Sequence, residues 1–425
     1  MKTTTLLSTL PGFAIAFLGD TAAPYIFLEP TSSRSYNPAQ TKTWNDEQLD
    51  TWLHSHRAHT TTTQGPSAFG FISYEHCYRL EPTIDRPSTT SSRLPEYLFY
   101  EYRTIIDVKQ QRIERHLDQP AWWHVSDQQL DELLAEWHAF LKHPIYQAQH
   151  ESVVPELPAD TRLAFQNGIR AIQEKILEGY VYQANLSLQL KRTTARSPIE
   201  TFLRVLSKEQ GAYSCFLSCE DLDKQQTAFI SNSPELFIKR TSNRLVTAPI
   251  KGTTPRMRGY LANETALHNL RHSEKDIAEL AMIVDLFRND LSKLCHAGTV
   301  KTGAFPTALS LQHIHHLYCT VSGTLHTEHP DRIILESLFP SGSITGAPKY
   351  TALQTIANLE QRARGVYCGS FVSFSQDGFT ANVAIRTAQQ QENSLTLQAG
   401  CGITIDSTEQ SETDEAQRKL SAFLD

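Results

Sequence analysis

The sequence predicts an α+β fold with large antiparallel sheets and helices on their outer faces. Three observations support this fold class. Several strand-like segments lie close enough together to form hairpins. The helical segments fall between groups of strands and do not alternate regularly with them, as they would in a doubly wound parallel sheet. With 425 residues, 40% hydrophobic and 20% charged, the chain can bury one large core or two smaller ones.

The overall composition excludes several classes of function. The formal net charge is −7, so the chain has no basic field that would attract nucleic acid or an anionic membrane. No apolar run reaches the roughly 18 to 20 residues needed to span a membrane. The seven cysteines form no zinc pattern and fit a reduced, cytoplasmic protein. We therefore expect neither a nucleic-acid partner nor a membrane partner.

The first residues of the chain allow two interpretations. An apolar run over 13–18, followed by small residues, is similar to a signal peptide. However, Pro11 and Gly12 interrupt the apolar region, and Asp20 precedes any cleavage site. An N-terminal strand over 13–19 is therefore the favoured interpretation.

Segments rich in Ser, Thr and Pro divide the first part of the chain. They cover 31–66 and 82–95, and a connector over 144–160 separates two halves. We place the boundary so that residues 1–155 form one region and residues 156–425 form the other. The first region contains strand-like segments but no motif that indicates a catalytic or binding function.

Helices are predicted from caps and from the spacing of apolar residues. Ser126 is a suitable N-cap for a helix over 127–142. Apolar residues recur with helical spacing over 161–178, and Gly179 can end that helix. The longest helix is predicted over 273–295, with a continuous apolar stripe.

Strands are predicted from alternation and turn residues. The segment over 181–190 has one apolar face, and its other face carries four polar residues, Gln183, Asn185, Ser187 and Gln189. This polar face must meet either water or a polar cavity. Near the end of the chain, Asp377 and Gly378 suit the tight turn of a hairpin.

Two pairs of acidic residues have a spacing that places both carboxylates on one face of a helix. Asp276 and Glu279 lie three residues apart near a helix start, and Glu412 and Glu415 repeat this spacing near the C-terminus. Oxygen ligands without a Cys or His set suit Mg²⁺. Taken alone, each pair is more often a solvated helix face or a helix cap.

Two glycine-containing turns offer backbone N–H groups to an anion. Gly342 and Gly346 precede a predicted helix, with Pro348 suited to its first position. The segment lacks the Walker A pattern, which argues against nucleotide binding. Gly400 and Gly402 form a second point where a ligand can approach the backbone closely, and a plain helix-start loop remains an alternative for the first turn.

Four single residues are candidates for binding or proton transfer. Arg386 alternates with apolar neighbours, which predicts a strand position and a carboxylate partner, either structural or substrate. Lys251 ends an apolar strand, where desolvation would favour the neutral, nucleophilic amine. Glu235 and His316 are possible acid or base groups. Each of these residue types, seen singly, is more often structural.

The order of these segments resembles the chorismate-utilising enzyme family, which includes anthranilate synthase component I, aminodeoxychorismate synthase component I, isochorismate synthase and salicylate synthase. The resemblance covers residues 156–425 and is carried by the motifs YQANL, SNSPELF, PIKGTTPR, SEKDIAELAMIVDLFRNDL, LFPSGSITGAPK, RGVYCGS, AIRTA, GCGI and ETDEAQRK. It implies antiparallel sheets packed as a sandwich with helices outside. Residues 1–155 would be a variable part of that sandwich, and residues 156–425 the chorismate-binding catalytic core.

The resemblance also implies roles for individual residues. Glu279 and Glu415 would hold Mg²⁺, with Asp276 and Glu412 in or beside the same shell, and the metal would bind the ring carboxylate of chorismate. The enolpyruvyl carboxylate and the ring would be contacted by a second set of residues. These are Arg386, Tyr367, Gly400, Gly402, Lys419, His316 and Ser343.

Two positions point to one branch of the family. Isochorismate and salicylate formers carry a water-activating lysine where this chain has Gln183. Members that make aminodeoxychorismate carry a lysine at the position of Lys251, where anthranilate synthases carry alanine. The implied chemistry is attack by the Lys251 amine on C2 with Glu235 as general acid, followed by addition of ammonia at C4.

The resemblance leaves partners and alternatives to be tested. The chain has no glutaminase elements, so we expect a separate glutamine amidotransferase subunit as the source of ammonia. The first alternative is anthranilate synthase component I, in which Lys251 would be incidental. A second alternative, from a different class, is a subunit that binds chorismate without turning it over.

Overall fold

A computed structural model of the chain describes residues 1–19, 23–36, 46–59, 65–87, 94–115, 120–142, 154–310, 314–327 and 329–424. The predicted connector over 144–160 lies outside the described residues up to position 153, as do parts of the two Ser/Thr/Pro-rich segments and Asp20. Within the described residues, no helix is both long enough and apolar enough to cross a membrane.

The helices of the described chain begin and end as follows: α1 Lys2–Leu7, α2 Asp46–His59, α3 Cys77–Leu80, α4 Asp127–Lys142, α5 Ala159–Leu177, α6 Pro198–Lys208, α7 Tyr260–Arg271, α8 Glu274–Ser292, α9 Asp331–Leu338, α10 Lys349–Glu360 and α11 Glu409–Leu420. The predicted helices over 127–142, 161–178 and 273–295 correspond to α4, α5 and α8. The predicted N-cap of α4 is present as well, because the Ser126 hydroxyl accepts a hydrogen bond from Gln129 N at 3.2 Å.

The strands of the described chain are β1 Ala14–Ala16, β2 Tyr25–Tyr36, β3 Pro66–Ile72, β4 Tyr97–Asp107, β5 Arg112–Arg115, β6 Gln183–Thr193, β7 Tyr213–Glu220, β8 Gln226–Ser233, β9 Leu236–Thr241, β10 Arg244–Ala248, β11 Ile250–Pro255, β12 Lys301–Thr302, β13 Thr307–Ser310, β14 Ile314–Tyr318, β15 Val321–Thr324, β16 Gly346–Ala347, β17 Ser370–Ser375, β18 Gly378–Asn382, β19 Thr387–Gln391 and β20 Ser394–Ile403. The predicted N-terminal strand corresponds to β1, and the predicted hairpin at Asp377–Gly378 joins β17 to β18.

Seventeen of these strands form one continuous antiparallel sheet. Along its hydrogen bonds the order is β12–β15–β10–β9–β18–β17–β3–β4–β2–β1–β7–β8–β19–β20–β6–β16, with β5 also paired to β4. A separate three-stranded sheet has the order β11–β14–β13. Strands from both sides of residue 155 therefore share one sheet, while the predicted boundary itself stays a prediction.

The long sheet folds back so that its two parts pack face to face. Phe71 on β3 and Phe371 on β17 both contact Phe229 on β8, with ring centroids 5.2 and 6.3 Å apart. Edge-on aromatic contacts of this kind fill the interior between the layers. Helices α5, α6 and α11 pack on one outer face, and α8 packs on the other side against β11, β14 and β15. The predicted α+β class, a sandwich with helices outside, is confirmed.

The polar face of β6 is enclosed by other parts of the fold. Gln183, Asn185 and Ser187 are buried and Gln189 is half-buried, although all four are polar. We call the group formed by this face and by polar residues of β11, β14, α8 and α11 the cleft. The sequence left open whether this face meets water or a polar cavity. The structure shows that it lies in a buried polar environment. Strand β20, which pairs with β6 along its length, carries Gly400 and Gly402 beside the same face.

Candidate active site

Gln183, Gly402 and Lys251 meet at one point of the cleft. A Cβ atom added at Gly402 would lie 2.2 Å from Gln183 Nε2 and 3.3 Å from Lys251 Nζ. Only a residue without a side chain allows both groups to approach the strand here. Both polar atoms of the Gln183 amide are buried without a hydrogen-bond partner in the described structure. A buried amide in this state is suited to receive a polar ligand.

Lys251 on β11 lies among carboxylates that come from separate parts of the chain. Its positive charge lowers the pKa values of Glu235, Glu279 and Glu415, although burial raises the first two and Lys419 has the largest effect on the third. The Lys251 residue is half-buried, so part of it is in contact with solvent. The sequence predicted an apolar, desolvated lysine, whereas the structure surrounds it with acidic groups.

The two acidic pairs are brought towards one another by α8 and α11. Burial raises the pKa of Glu279, and the neighbouring charges of Asp276 and Glu412 raise it further. Asp276 packs against the backbone of β11, since a Cβ atom at Gly252 would lie 3.0 Å from its Cβ. Glu412 and Glu279 are far apart in sequence but interact electrostatically in the fold. Crowded carboxylates of this kind are stabilised by a cation.

The donor set at this end of the cleft fits a divalent metal ion. Ligand atoms of Cys401, Glu412 and Glu415 all lie within 4.8 Å of one another. Asp276 and Glu279 are not part of this group, and the sequence analysis did not identify Cys401. The two carboxylates suit Mg²⁺, whereas a thiol is a soft ligand that Mg²⁺ does not favour. Cys401 lies between Gly400 and Gly402 on β20, so the GCGI motif was the signal that could have found it.

Lys419 provides a fixed positive charge beside these acids. Its Nζ donates to Gly400 O at 2.8 Å and forms an ion pair with Glu415 Oε1 at 2.7 Å. Burial lowers the pKa of Lys419, but Cys401 and Glu415 together hold it above the usual value. Lys419 in turn lowers the pKa of Glu415. The pair therefore stays charged at neutral pH.

Glu235 is placed to act as an acid. It is 3% exposed, and its Oε1 atom has no hydrogen-bond partner in the described structure. Burial raises its pKa to about 7, against the opposing effects of the Ser343 hydroxyl and the Lys251 charge. Ser343 lies in the short turn before α10, where its hydroxyl also contacts that of Ser341 at 2.9 Å. A carboxyl that titrates near neutral pH can hold and donate a proton.

His316 on β14 presents an unprotonated nitrogen. Its Nδ1 lies 2.9 Å from Thr253 Oγ1 and 3.3 Å from Gly252 O, so the Nδ1–H donates to β11. Burial, aided by the charge of Arg386, lowers its pKa to about 4. The buried Nε2 atom has no partner among the described residues. The Gly252 carbonyl, which can only accept, favours this tautomer, and Thr253, which the sequence analysis did not single out, lies beside the same nitrogen.

Arg386 and Tyr367 complete the cleft, with one correction. Arg386 was predicted to lie on a strand, but it lies in the connection between β18 and β19 with a left-handed φ of 49°. Its Nη1 is 3.4 Å from Glu209 Oε2, so its carboxylate partner belongs to the protein itself. Tyr367 is buried, and its hydroxyl lies 3.0 Å from the position of a Cβ atom at Gly400.

Comparisons with known proteins identify the family. The chain is similar to the probable anthranilate synthase component 1 of Schizosaccharomyces pombe, with 30% identity over 373 residues, 83% of this chain and 74% of that protein. It is also similar to the aminodeoxychorismate synthase component 1 of Escherichia coli K12, with 35% identity over 266 residues, 62% of this chain and 57% of that protein. The two names differ, so similarity does not select one activity.

A solved structure and a family profile extend the similarity to the whole fold. Anthranilate synthase component I from Streptococcus pneumoniae TIGR4 superimposes with a TM-score of 0.73 at 22% identity, covering 97% of this chain and 92% of that one. At this identity the likeness concerns the fold alone. The sequence profile described as chorismate binding enzyme matches residues 17–425. Because this match includes nearly the whole chain, the protein belongs to the chorismate binding enzyme family.

Proposed function

We propose that the protein is aminodeoxychorismate synthase component I, which converts chorismate and ammonia to 4-amino-4-deoxychorismate for para-aminobenzoate and folate synthesis. The observation that carries the proposal is the position of Lys251. Its amine reaches into the cleft beside Gln183 and Gly402, and its charge acts on Glu235. The resemblance implies that lysine at this position distinguishes this branch from the anthranilate synthases.

Two sets of residues are proposed to bind a dicarboxylate substrate. Glu279 and Glu415 would hold Mg²⁺, with Asp276 and Glu412 beside them. When bound there, Mg²⁺ would hold the ring carboxylate of chorismate and withdraw electron density from the ring. Arg386, Tyr367 and Lys419, with the backbone at Gly400 and Gly402, would contact the enolpyruvyl carboxylate.

The proposed reaction uses Lys251 as the nucleophile. Lys251 first passes a proton to Glu235, and its neutral amine then attacks C2 of chorismate. The ring double bonds shift, and the C4 hydroxyl leaves as water with the proton of Glu235. Ammonia then adds at C4, and the bond between C2 and the lysine nitrogen breaks. The proton released from the added ammonia returns to Glu235, for which the unprotonated His316 offers a relay. Atoms balance as chorismate plus ammonia giving aminodeoxychorismate plus water.

Ammonia is proposed to come from a glutamine amidotransferase subunit. Two relatives named component 1 are consistent with such a division of labour, and the motifs of a glutaminase are absent from the sequence. The catalytic proposal can nevertheless be tested without that partner, because ammonium salts supply free ammonia.

The decisive experiment is a mass spectrum of the products formed from chorismate, Mg²⁺ and ammonia. Aminodeoxychorismate is the expected product, and anthranilate with pyruvate as principal products would overturn the proposal. Lys251→Ala should abolish product formation while chorismate binding, measured by calorimetry, survives. The matched control is Lys301→Ala on the exposed strand β12, which should leave turnover unchanged. Unchanged turnover in Lys251→Ala would exclude the covalent route.

A further inference from the structure

The largest buried cation outside the catalytic cleft is Arg364, just beyond α10. It is 1% exposed, and its side chain lies 4.5 Å from the ring centre of Tyr74. Its Nε and Nη2 atoms donate to the two oxygens of Glu360 at 3.0 and 2.7 Å. Its Nη2 also donates to Asn185 O at 2.6 Å, and its Nη1 donates to Ile344 O at 3.2 Å. A single guanidinium therefore joins two separate backbone segments to one carboxylate.

Each of the two backbone carbonyls adjoins a residue of the cleft. Asn185 O is on β6, two residues after Gln183. Ile344 O directly follows Ser343, whose hydroxyl hydrogen-bonds to Glu235. A guanidinium has a rigid, planar fork of donors, so it fixes the separation of the groups that it bonds. The contacts of Arg364 thus act together with the backbone pairing of β6 and β16 to set the position of the β6 start relative to the turn before α10.

The backbone of Arg364 is held in turn by the N-terminal part of the chain. Glu75 Oε1 accepts hydrogen bonds from Arg364 N at 2.8 Å and from Gly365 N at 3.2 Å. Gly365 O accepts from Tyr74 N at 2.7 Å. The segment fixed in this way continues directly to Tyr367, which faces Gly400. A region without catalytic motifs therefore contributes a buried carboxylate that orders part of the cleft.

We infer that Arg364 is a positioning residue for the reaction, and that it acts by holding Ser343, Gln183 and Tyr367 in register from behind the cleft. The inference rests on the proposed use of Glu235 as the acid. Arg364 does not touch the cleft itself, so its effect is transmitted by backbone atoms. Glu75 and Tyr74 connect residues 1–155 to Arg364 and Gly365.

The test compares Arg364→Lys with Arg240→Lys. Arg240 forms an equally buried ion pair with Asp331 at 2.7 Å, and this pair adjoins none of the cleft residues in sequence. A lysine in place of Arg364 cannot bond Asn185 O, Ile344 O and Glu360 together. We expect Arg364→Lys to lower kcat by about 100-fold, the scale expected when reacting groups are misplaced by an ångström. Arg240→Lys should lower the melting temperature without lowering kcat.

A second readout separates positioning from plain loss of stability. Because the Ser343 hydroxyl lowers the pKa of Glu235, displacing the turn should move the alkaline limb of the pH–rate profile to higher pH. Ser343→Ala should produce the same shift with little loss of stability. If Arg364→Lys does not fold, Gln398→Leu is used instead. It removes the hydrogen bond from Gln398 Nε2 to Arg364 O at 2.7 Å and the one that Gln398 Oε1 accepts from Arg362 Nη1 at 2.8 Å, and it leaves the ion pair of Arg364 with Glu360 in place.

The outcomes distinguish this inference from the proposed function. Rates are measured as chorismate consumed, so they are valid whichever product is formed. If the unmodified protein makes anthranilate, the proposed function is wrong. The kcat values of the two arginine variants can still be compared in that case. Normal kcat and an unshifted pH profile in Arg364→Lys, with a melting temperature lowered as in Arg240→Lys, would show a structural role alone and overturn the inference.

Discussion

Two buried polar clusters lie back to back in this protein, and they differ in how completely their groups are paired. In the arginine cluster, formed by Glu360 and Arg364, every guanidinium nitrogen and both carboxylate oxygens have a partner, whereas the adjoining Glu75 keeps its Oε2 unpaired. In the cleft, four buried side chains keep unpaired atoms among the described residues. These atoms are the amide of Gln183, Nδ2 of Asn185, Oε1 of Glu235 and Nε2 of His316.

The difference follows from what burial costs. A buried polar group without a partner loses its hydration and gains nothing in exchange. A bound ligand can supply the bonds that the unpaired cleft atoms lack, whereas Glu360 and Arg364 already satisfy one another. Changes in the arginine cluster should therefore act mainly on stability and geometry, and changes in the cleft mainly on binding and chemistry.

The largest effect is expected from removal of a carboxylate in the arginine cluster. Glu360→Ala leaves Arg364 buried without its ion partner, which should cost roughly 3 to 5 kcal/mol of unfolding free energy. Urea denaturation measures this loss. In the cleft, Glu279→Ala should cost far less, because burial and like charges already raise the pKa of Glu279. Equal losses in the two variants would contradict the distinction.

The next largest effect is on catalysis, where a change in the cleft should matter more than one in the arginine cluster. Glu279→Ala should abolish Mg²⁺-dependent activity, with a loss of at least about 100-fold, because a metal ion supplies several kcal/mol of transition-state stabilisation. The control is Glu274→Ala, an exposed carboxylate in the first turn of the same helix. Steady-state rates over a range of Mg²⁺ concentrations measure the effect. Full activity at ordinary Mg²⁺ would place the metal elsewhere.

A smaller effect is expected where the cleft needs space. Gly402→Ala places a Cβ atom 2.2 Å from Gln183 Nε2, and overpacking of this kind costs about 1 to 3 kcal/mol. Chorismate affinity should fall as the amide and Lys251 are pushed aside, which calorimetry can follow. Gly65→Ala is the matched control, since its Cβ would meet no atom closer than 3.8 Å. Unchanged affinity in Gly402→Ala would show that Gln183 does not face the ligand.

The smallest effect concerns the proton on Glu235. Its pKa is raised to about 7, so the acid form is present at lower pH and is lost as pH rises through about 7. The rate of chorismate consumption should therefore fall above about pH 7, and Glu235→Gln should remove this limb along with most of the activity. The free energy of unfolding should also fall as pH rises through about 7, because the folded protein favours the protonated form of Glu235. Glu235→Gln should thus be more stable than the unmodified protein above pH 7.

Much of the fold could be predicted because local patterns repeat over short distances. The apolar stripe of α8, the cap at Ser126 and the alternation in β6 each depend on neighbours within a few residues. The strand position of Arg386 was predicted wrongly for the same reason. Alternation around Arg386 is typical of a strand, but the chain turns there between β18 and β19 and bonds Glu209 instead.

The sequence by itself determined the fold class, the helices that carry Asp276 with Glu279 and Glu412 with Glu415, and the family resemblance. These features depend on residue order and periodicity, which need no knowledge of distant contacts. Only the tertiary structure decided which polar groups are paired, that the Gly252 carbonyl faces Nδ1 of His316, and that Glu75 reaches Arg364 across 289 positions of sequence. Pairing depends on long-range packing and desolvation, and no local pattern encodes either.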